Sequence, residues 1–201
     1  MENPQGQLEL NTLRGQWIKN FLQQNNFKNI VEIGTWKGLG STLCILEGKS
    51  DTSEFISLEC DLVLHENAKT NLERYKDKVK LIYGTICTED EIEGFSSTLS
   101  LDSQKTEWLN LDLANVRDCP YVLDLIPHRI DFLLLDGGEF STYTEWQKLK
   151  DRTKIVAMDD ISQIKTSKIF NELLSDFSYK ILTRIDEGNG FAAFERIDFK
   201  N

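Results

Sequence analysis

Apolar residues recur at helical spacing near the start of the chain, at Leu10, Leu13, Trp17, Ile18 and Phe21, and predict an amphipathic helix ending near the polar stretch Gln23 to Asn26. The next apolar run is short. Ile30-Val31-Glu32-Ile33 reads as a buried strand that runs into Gly34, Gly38 and Gly40. Ser41 or Thr42 then opens a helix carrying Leu43, Ile45 and Leu46. Phe55 to Glu59 predicts a second strand, Leu62 to Tyr75 a polar helix, and Val79 to Tyr83 a third strand. Further on, Ile130 to Asp136 is strongly apolar and is broken by Gly137 and Gly138. A helix over Ser141 to Leu149 and a fifth strand, Ile155 to Asp159, come next. Ile169, Phe170, Leu173, Leu174 and Phe177 mark another helix. Tyr179 to Ile185 and Phe191 to Ile197 flank the turn Asp186 to Gly190 and predict a hairpin.

The order β-α-β-α-β predicts an α/β fold with a doubly wound, mostly parallel sheet, closed by a C-terminal antiparallel hairpin. Right-handed crossovers put the strand ends on one rim. The stretch from Gly84 to Asp118 has no clear period. It is acidic early, at Glu89, Asp90, Glu91 and Glu93, and Ser-rich in its middle, and is expected to be irregular with short helices, a variable insertion or lid. No linker or repeat divides the chain, so one domain over 1–201 is expected, with 1–27 as an N-terminal helical extension.

Length and composition change this picture little. The chain has 201 residues, 40% hydrophobic and 28% charged, enough for a core without disulfides or a structural metal. The net charge of −10 disfavours a nucleic-acid substrate, because a uniformly acidic surface repels phosphate. Lys76, Lys78 and Lys80 read as a solvated turn. Cys44, Cys60, Cys87 and Cys119 form no C-x-x-C pair, which suits a reducing, cytoplasmic setting. Met1 to Gln7 lacks an apolar signal core, and no apolar run reaches the length of a membrane span.

Candidate chemistry concentrates at Val31-Glu32-Ile33-Gly34-Thr35-Trp36-Lys37-Gly38-Leu39-Gly40-Ser41. Glycines at a strand-to-helix turn let a ligand approach the backbone. The N–H groups at the start of the next helix can meet a carboxylate. S-adenosylmethionine carries a carboxylate and an ammonium, and Glu32 is placed to meet the ammonium directly or through water. Glu59, nineteen residues after Gly40, suits a ribose diol, since a carboxylate accepts two hydroxyl protons. Asp61 is a weaker competitor, and Thr85 follows the third strand at the level of an adenine. Short-chain dehydrogenases share the glycine spacing, but they need Y-x-x-x-K, and Tyr143 meets Gln147 instead. An acid before the glycines also opposes a pyrophosphate.

Val31 to Ser41 with Glu59 resembles motifs I and II of class I S-adenosylmethionine-dependent methyltransferases, which have a Rossmann-like seven-stranded sheet. Asp136-Gly137-Gly138-Glu139-Phe140-Ser141-Thr142-Tyr143, with Ala157-Met158-Asp159-Asp160-Ile161, resembles the methyltransferase family 24 group, which commonly reads D-G-x-H after strand four and D-D after strand five. The resemblance implies a cofactor site at Glu32, Gly34, Trp36, Gly38, Gly40, Ser41, Glu59 and Thr85. Glu139 stands where the group usually has histidine.

Catechol-type O-methyltransferases are more distant cousins that hold Mg²⁺ with acids at similar points. That likeness implies a divalent cation on Asp136, Asp159 and Asp160, whose oxygens suit a hard ion. Lys165 is the alternative, neutralising the acids by an ion pair. Glu139 and Asp136 are the candidate catalytic residues. Glu139 acts either as a base or as a cap on the helix starting near Ser141. His65 is expected on an exposed helix and His128 in a loop. Trp36 is placed to cover the cofactor and Trp146 to line the substrate mouth, though both residue types more often pack. The expected reaction is methyl transfer to an oxygen of a small molecule or glycan. A non-catalytic S-adenosylmethionine-binding protein is the rival.

Overall fold

A computed structural model describes residues 8–199. Met1 to Gln7, including most of the polar start, lie outside the described residues. The elements follow the order α1 (Leu13–Gln23), β1 (Asn29–Ile33), α2 (Ser41–Gly48), β2 (Glu54–Glu59), α3 (Leu62–Asn71) and β3 (Lys80–Tyr83). Then come α4 (Glu89–Ser96), α5 (Ser103–Arg117), β4 (Ile130–Leu135), α6 (Ser141–Leu149), β5 (Thr153–Asp159), α7 (Ile164–Ser175), β6 (Tyr179–Ile185) and β7 (Phe191–Arg196).

The seven strands form one sheet in the order β3-β2-β1-β4-β5-β7-β6. Strands β1 to β5 are parallel, and β7 runs antiparallel between β5 and β6. The predicted Rossmann-like sheet with its closing hairpin is therefore the observed one. Its topology reverses between β1 and β4, which opens a crevice at their C-terminal ends.

Strand period two sorts the core onto two faces. Leu133 and Leu135 of β4 pack with Trp146 and Leu149 of α6 and Ile169, Phe170 and Leu173 of α7. Phe132 and Leu134 face the other way, toward Ile18 and Leu22 of α1 and Cys44 and Ile45 of α2. By the same parity Glu32 and Ser57 lie on the α1/α2 face.

The stretch read as irregular, 84–118, contains two proper helices. Thr88 and Glu91 form a reciprocal capping box on α4, and Asp102 caps α5 by accepting from the Lys105 N–H. The 15-residue α5 buries only Val116, so it carried no apolar stripe to betray it. Two further expectations are corrected. Leu13 is 66% exposed while Arg14 is buried, because α1 turns Arg14 inward to an ion pair. Phe177 is 97% exposed beyond the end of α7 rather than on its packed face. Among the described residues no helix is long and apolar enough to cross a membrane.

Candidate active site

A cavity of about 210 Å³ opens at the C-terminal ends of β1, β2 and β4. The loop after β1 supplies Gly34 and Trp36, the end of β2 supplies Glu59, Cys60 and Asp61, and the loop after β4 supplies Asp136, Gly137 and Gly138. Leu111, Asp112 and Asn115 of α5 and Glu145 of α6 complete the lining. Helix α5, within the 84–118 stretch, thus contributes a wall of the cavity.

Gly34 has φ +95°, and a Cβ there would overlap the Asp136 carbonyl oxygen. Only glycine lets these two loops touch. Gly38, at φ +73°, answers a different need: its Cβ would meet the Leu72 side chain at 2.6 Å. Trp36 also has positive φ, 51°, which is costly for a bulky residue. Its N–H donates to Glu59 Oε2 at 2.6 Å and so holds that turn in place. The other Glu59 oxygen accepts from the Asp61 N–H at 2.9 Å. Each oxygen keeps a lone pair for a further donor. Burial pushes the Glu59 carboxyl up to about 7, against the lowering pull of those two N–H donors.

Glu32 does not reach the cavity. It is fully buried, accepting from Ser41 Oγ at 2.6 Å, Thr42 Oγ1 at 2.8 Å and Ser57 Oγ at 2.6 Å. Burial raises its carboxyl to about 7 although the three hydroxyls oppose the rise. Its parity on β1 was the available signal, since that face lies under α2. Ser41 is thereby committed to Glu32, and neither it nor its neighbour Thr42 offers a free hydroxyl to an anion. Of the expected cofactor residues, Gly34, Trp36 and Glu59 line the cavity, whereas Glu32, Gly38, Gly40, Ser41 and Thr85 do not. Thr85 instead bonds the Cys87 backbone N–H at 3.2 Å.

Two acids in the cavity were missed. Asp112 Oδ2 accepts from the N–H groups of Phe140 at 2.7 Å and Ser141 at 3.2 Å, and so caps α6 from across the cavity. A Cβ at Gly138 would lie 2.6 Å from Asp112 Oδ1, so glycine there makes room for this cap. Glu145 is buried, and its Oε2 has no hydrogen-bond partner. Burial, then the charges of Asp112 and Glu59, push the Glu145 carboxyl up to about 8. Asp112 could not be placed without knowing how α5 docks, whereas Glu145 lies on the predicted helix α6 but its buried face was not read.

The second half of the rim lies at the ends of β4 and β5. Ligand atoms of Asp136, Asp159 and Asp160 come within 4.8 Å of one another, as a cation site needs. Two internal cations already hold them. Lys165 Nζ lies 2.7 Å from Asp136 Oδ1 and 2.8 Å from Asp160 Oδ2. Arg14 Nη1 lies 2.8 Å from Asp159 Oδ1. Burial pulls the Lys165 ammonium down, but Asp136 and Asp160 outweigh it and hold it charged. Burial and the two neighbouring aspartates raise the Asp159 carboxyl to about 7. As arranged, each acid gives one oxygen to an internal cation, so a divalent ion would have to compete with Lys165 and Arg14, while Asp160 Oδ1 is buried with no hydrogen-bond partner.

Glu139 is half-buried beside this cluster, and burial raises its carboxyl while Lys165 lowers it. It does cap a helix, but not the expected one: Oε1 accepts the Ile164 N–H at 2.9 Å, at the start of α7. The α6 terminus was already taken by Asp112. His65 is buried against Tyr83 rather than exposed, with ring centroids 5.8 Å apart. Trp146 is fully buried against Tyr179 and lines no mouth.

No family profile matches this sequence, and no curated protein matches it. Solved structures do resemble it. A methyltransferase from Geobacter sulfurreducens superposes with a TM-score of 0.63 at 13% identity, covering 94% of this chain and 82% of that one. An O-methyltransferase from Bacillus cereus in complex with SAH gives 0.61 at 14% identity, over 95% and 84%. An SAH-bound methyltransferase from Podospora anserina gives 0.61 at 17% identity, over 92% and 79%. At these identities the likeness is one of fold, and the fold is that of the class I, seven-stranded methyltransferases.

Proposed function

We propose that this chain is an S-adenosylmethionine-dependent methyltransferase that acts on an oxygen of a small molecule or glycan. The observation that carries this reading is the acid-lined cavity beside the glycine loop. Glu59, Asp112 and Glu145 surround it, and among the described residues no lysine or arginine lines it. Such a cavity suits a cationic ligand with a ribose and opposes a dinucleotide pyrophosphate. The first turn of α2, where a pyrophosphate would sit, already gives its hydroxyls to Glu32. Two of the structural neighbours carry SAH, and one of these is an O-methyltransferase.

In this reading Gly34 lets the amino-acid end of the ligand approach the backbone, and Trp36 borders it. Glu59 accepts the ribose hydroxyls. The bound S-adenosylmethionine supplies an electrophilic methyl group. Its methyl would pass to the acceptor oxygen, leaving S-adenosylhomocysteine, and the chain's own part would be to take the acceptor's hydroxyl proton. Glu139 is the base that takes it. Its Oε1 is spent on Ile164, but the carboxylate retains lone pairs, and burial raises its basicity above that of an exposed glutamate. Most of the remaining advantage comes from positioning.

Calorimetry with S-adenosylhomocysteine tests the reading. The wild type should bind, and Glu59→Ala should weaken binding by roughly 1.5–3 kcal/mol, the worth of charge-assisted hydrogen bonds. Unchanged affinity in a folded variant removes the ribose assignment. Binding with no turnover across a broad panel of hydroxylated acceptors would favour the non-catalytic binding protein.

A further inference from the structure

We propose that Lys165 is the resident cation of this site. Its ammonium fills the position between Asp136 and Asp160 that a divalent ion would take, so the protein works without a metal. The inference about binding stands on geometry alone; its extension to catalysis rests on the methyltransferase reading.

Three features fix the lysine there. Its ammonium touches one oxygen from each acid, at 2.7 and 2.8 Å, and the residue is only 7% exposed. Its backbone is anchored at the start of α7, because Glu139 holds the adjoining Ile164 N–H and Thr166 Oγ1 donates to the Asp159 carbonyl at 2.8 Å. The third acid, Asp159, is held by a different cation, Arg14 of α1, so Lys165 is left to the other two. Lys165 and Arg14 offset two of the charges of Asp136, Asp159, Asp160 and neighbouring Glu139, which lessens the electrostatic demand for a divalent ion.

A metal would have to expel the ammonium, because two cations sharing the same oxygens repel. Mg²⁺ additionally requires near-octahedral oxygens at about 2.0–2.1 Å. One oxygen of each acid is already engaged by Lys165 or Arg14, so the ion would have to displace at least one of these cations to gather its ligands. Lys165 is accordingly a positioning residue. It holds Asp136 and Asp160 in place at the rim and supplies a fixed positive charge, without offering open coordination positions to an acceptor.

The test uses the full chain freed of metal by chelator. Mn²⁺ binding is followed by loss of the free-ion paramagnetic signal and by thermal shift. Wild type should show no saturable Mn²⁺ binding up to ~1 mM, the weak end of protein oxygen sites. Lys165→Ala should gain one Mn²⁺ site, with a melting temperature that rises with added ion, and Lys165→Ala/Asp160→Asn should lose it. Any methyl transfer by wild type should be unchanged by chelator. Saturable wild-type binding abolished by Asp160→Asn would overturn the proposal, as would a folded Lys165→Ala that takes no ion. If Lys165→Ala does not fold, Lys165→Gln and the wild-type titration decide. None of the metal arms depends on S-adenosylhomocysteine binding, so failure here and failure of the methyltransferase reading are separate results.

Discussion

The two halves of the strand-end rim face the same difficulty and meet it differently. At β1 and β2, the buried acids Glu32 and Glu59 have only hydroxyl and N–H donors, and Glu145 beside them leaves an oxygen unpaired. Burial lifts all three carboxyls to about 7 or 8, so they carry protons or share donors instead of cations. At β4 and β5, the acids are paired with Lys165 and Arg14, although Asp160 Oδ1 is left without a hydrogen-bond partner. Burying a charge without a partner is costly, and a fold can answer with a proton or with a counter-ion. The first answer leaves a cavity that rewards a hydrogen-bond donor or cation arriving from outside. The second leaves a structure that is electrostatically nearly complete.

That contrast can be broken by experiment. The largest effect is expected at Glu139, on the self-neutralised side. Glu139→Gln keeps an oxygen for the Ile164 N–H but removes the base, and methyl transfer should fall about 10²–10⁴-fold with cofactor affinity nearly unchanged. Steady-state turnover alongside calorimetry checks this, and wild-type turnover would retire the base. Next comes Arg14→Ala. It strands Asp159 among buried neighbours and should cost about 3–5 kcal/mol in urea unfolding, the penalty of halving a buried ion pair. A loss under 1 kcal/mol would mean Asp159 simply takes up a proton, erasing the difference between the two halves.

The smallest effect, per unit of pH, concerns Glu145. Its carboxyl moves from an ordinary 4.5 to about 8 on folding. A raised carboxyl favours the folded state fully below the unfolded value and loses that contribution as pH rises through the folded value. Wild-type stability should therefore fall by on the order of 1 kcal/mol per pH unit between about pH 5 and 8, relative to Glu145→Gln. Parallel stability–pH curves for the two proteins would show that Glu145 ionises freely in the folded state.

The sheet was legible because parallel strands buried on both faces are written as near-continuous apolar runs, as in Ile130 to Leu135. Gly34, Glu59 and Asp136 were legible because their positions at strand ends fix them on the rim. Lys165 was visible as a candidate counter-ion five residues past Asp160. Helix α5 was not legible, since caps rather than a buried stripe define it. Asp112 went unseen with it, and Glu145 went unseen because an acid on the legible helix α6 reads as solvated. The Arg14–Asp159 pair spans 145 positions, and nothing local in either segment announces the other. Glu32 was assigned to a ligand although strand parity turns it toward α2. Its position in the motif had outweighed its face.

The contact of Gly34 with the Asp136 carbonyl has a mechanical consequence for the two halves. With no side chain between them, the loop after β1 packs directly on the backbone of the loop after β4. The Asp136 N–H, bonded to the Ile33 carbonyl at 2.9 Å, rivets it on the strand side. A ligand that displaces the glycine turn must therefore drag the Asp136–Lys165 clasp with it. The Gly34 amide becomes a gauge that registers events at either end of the rim.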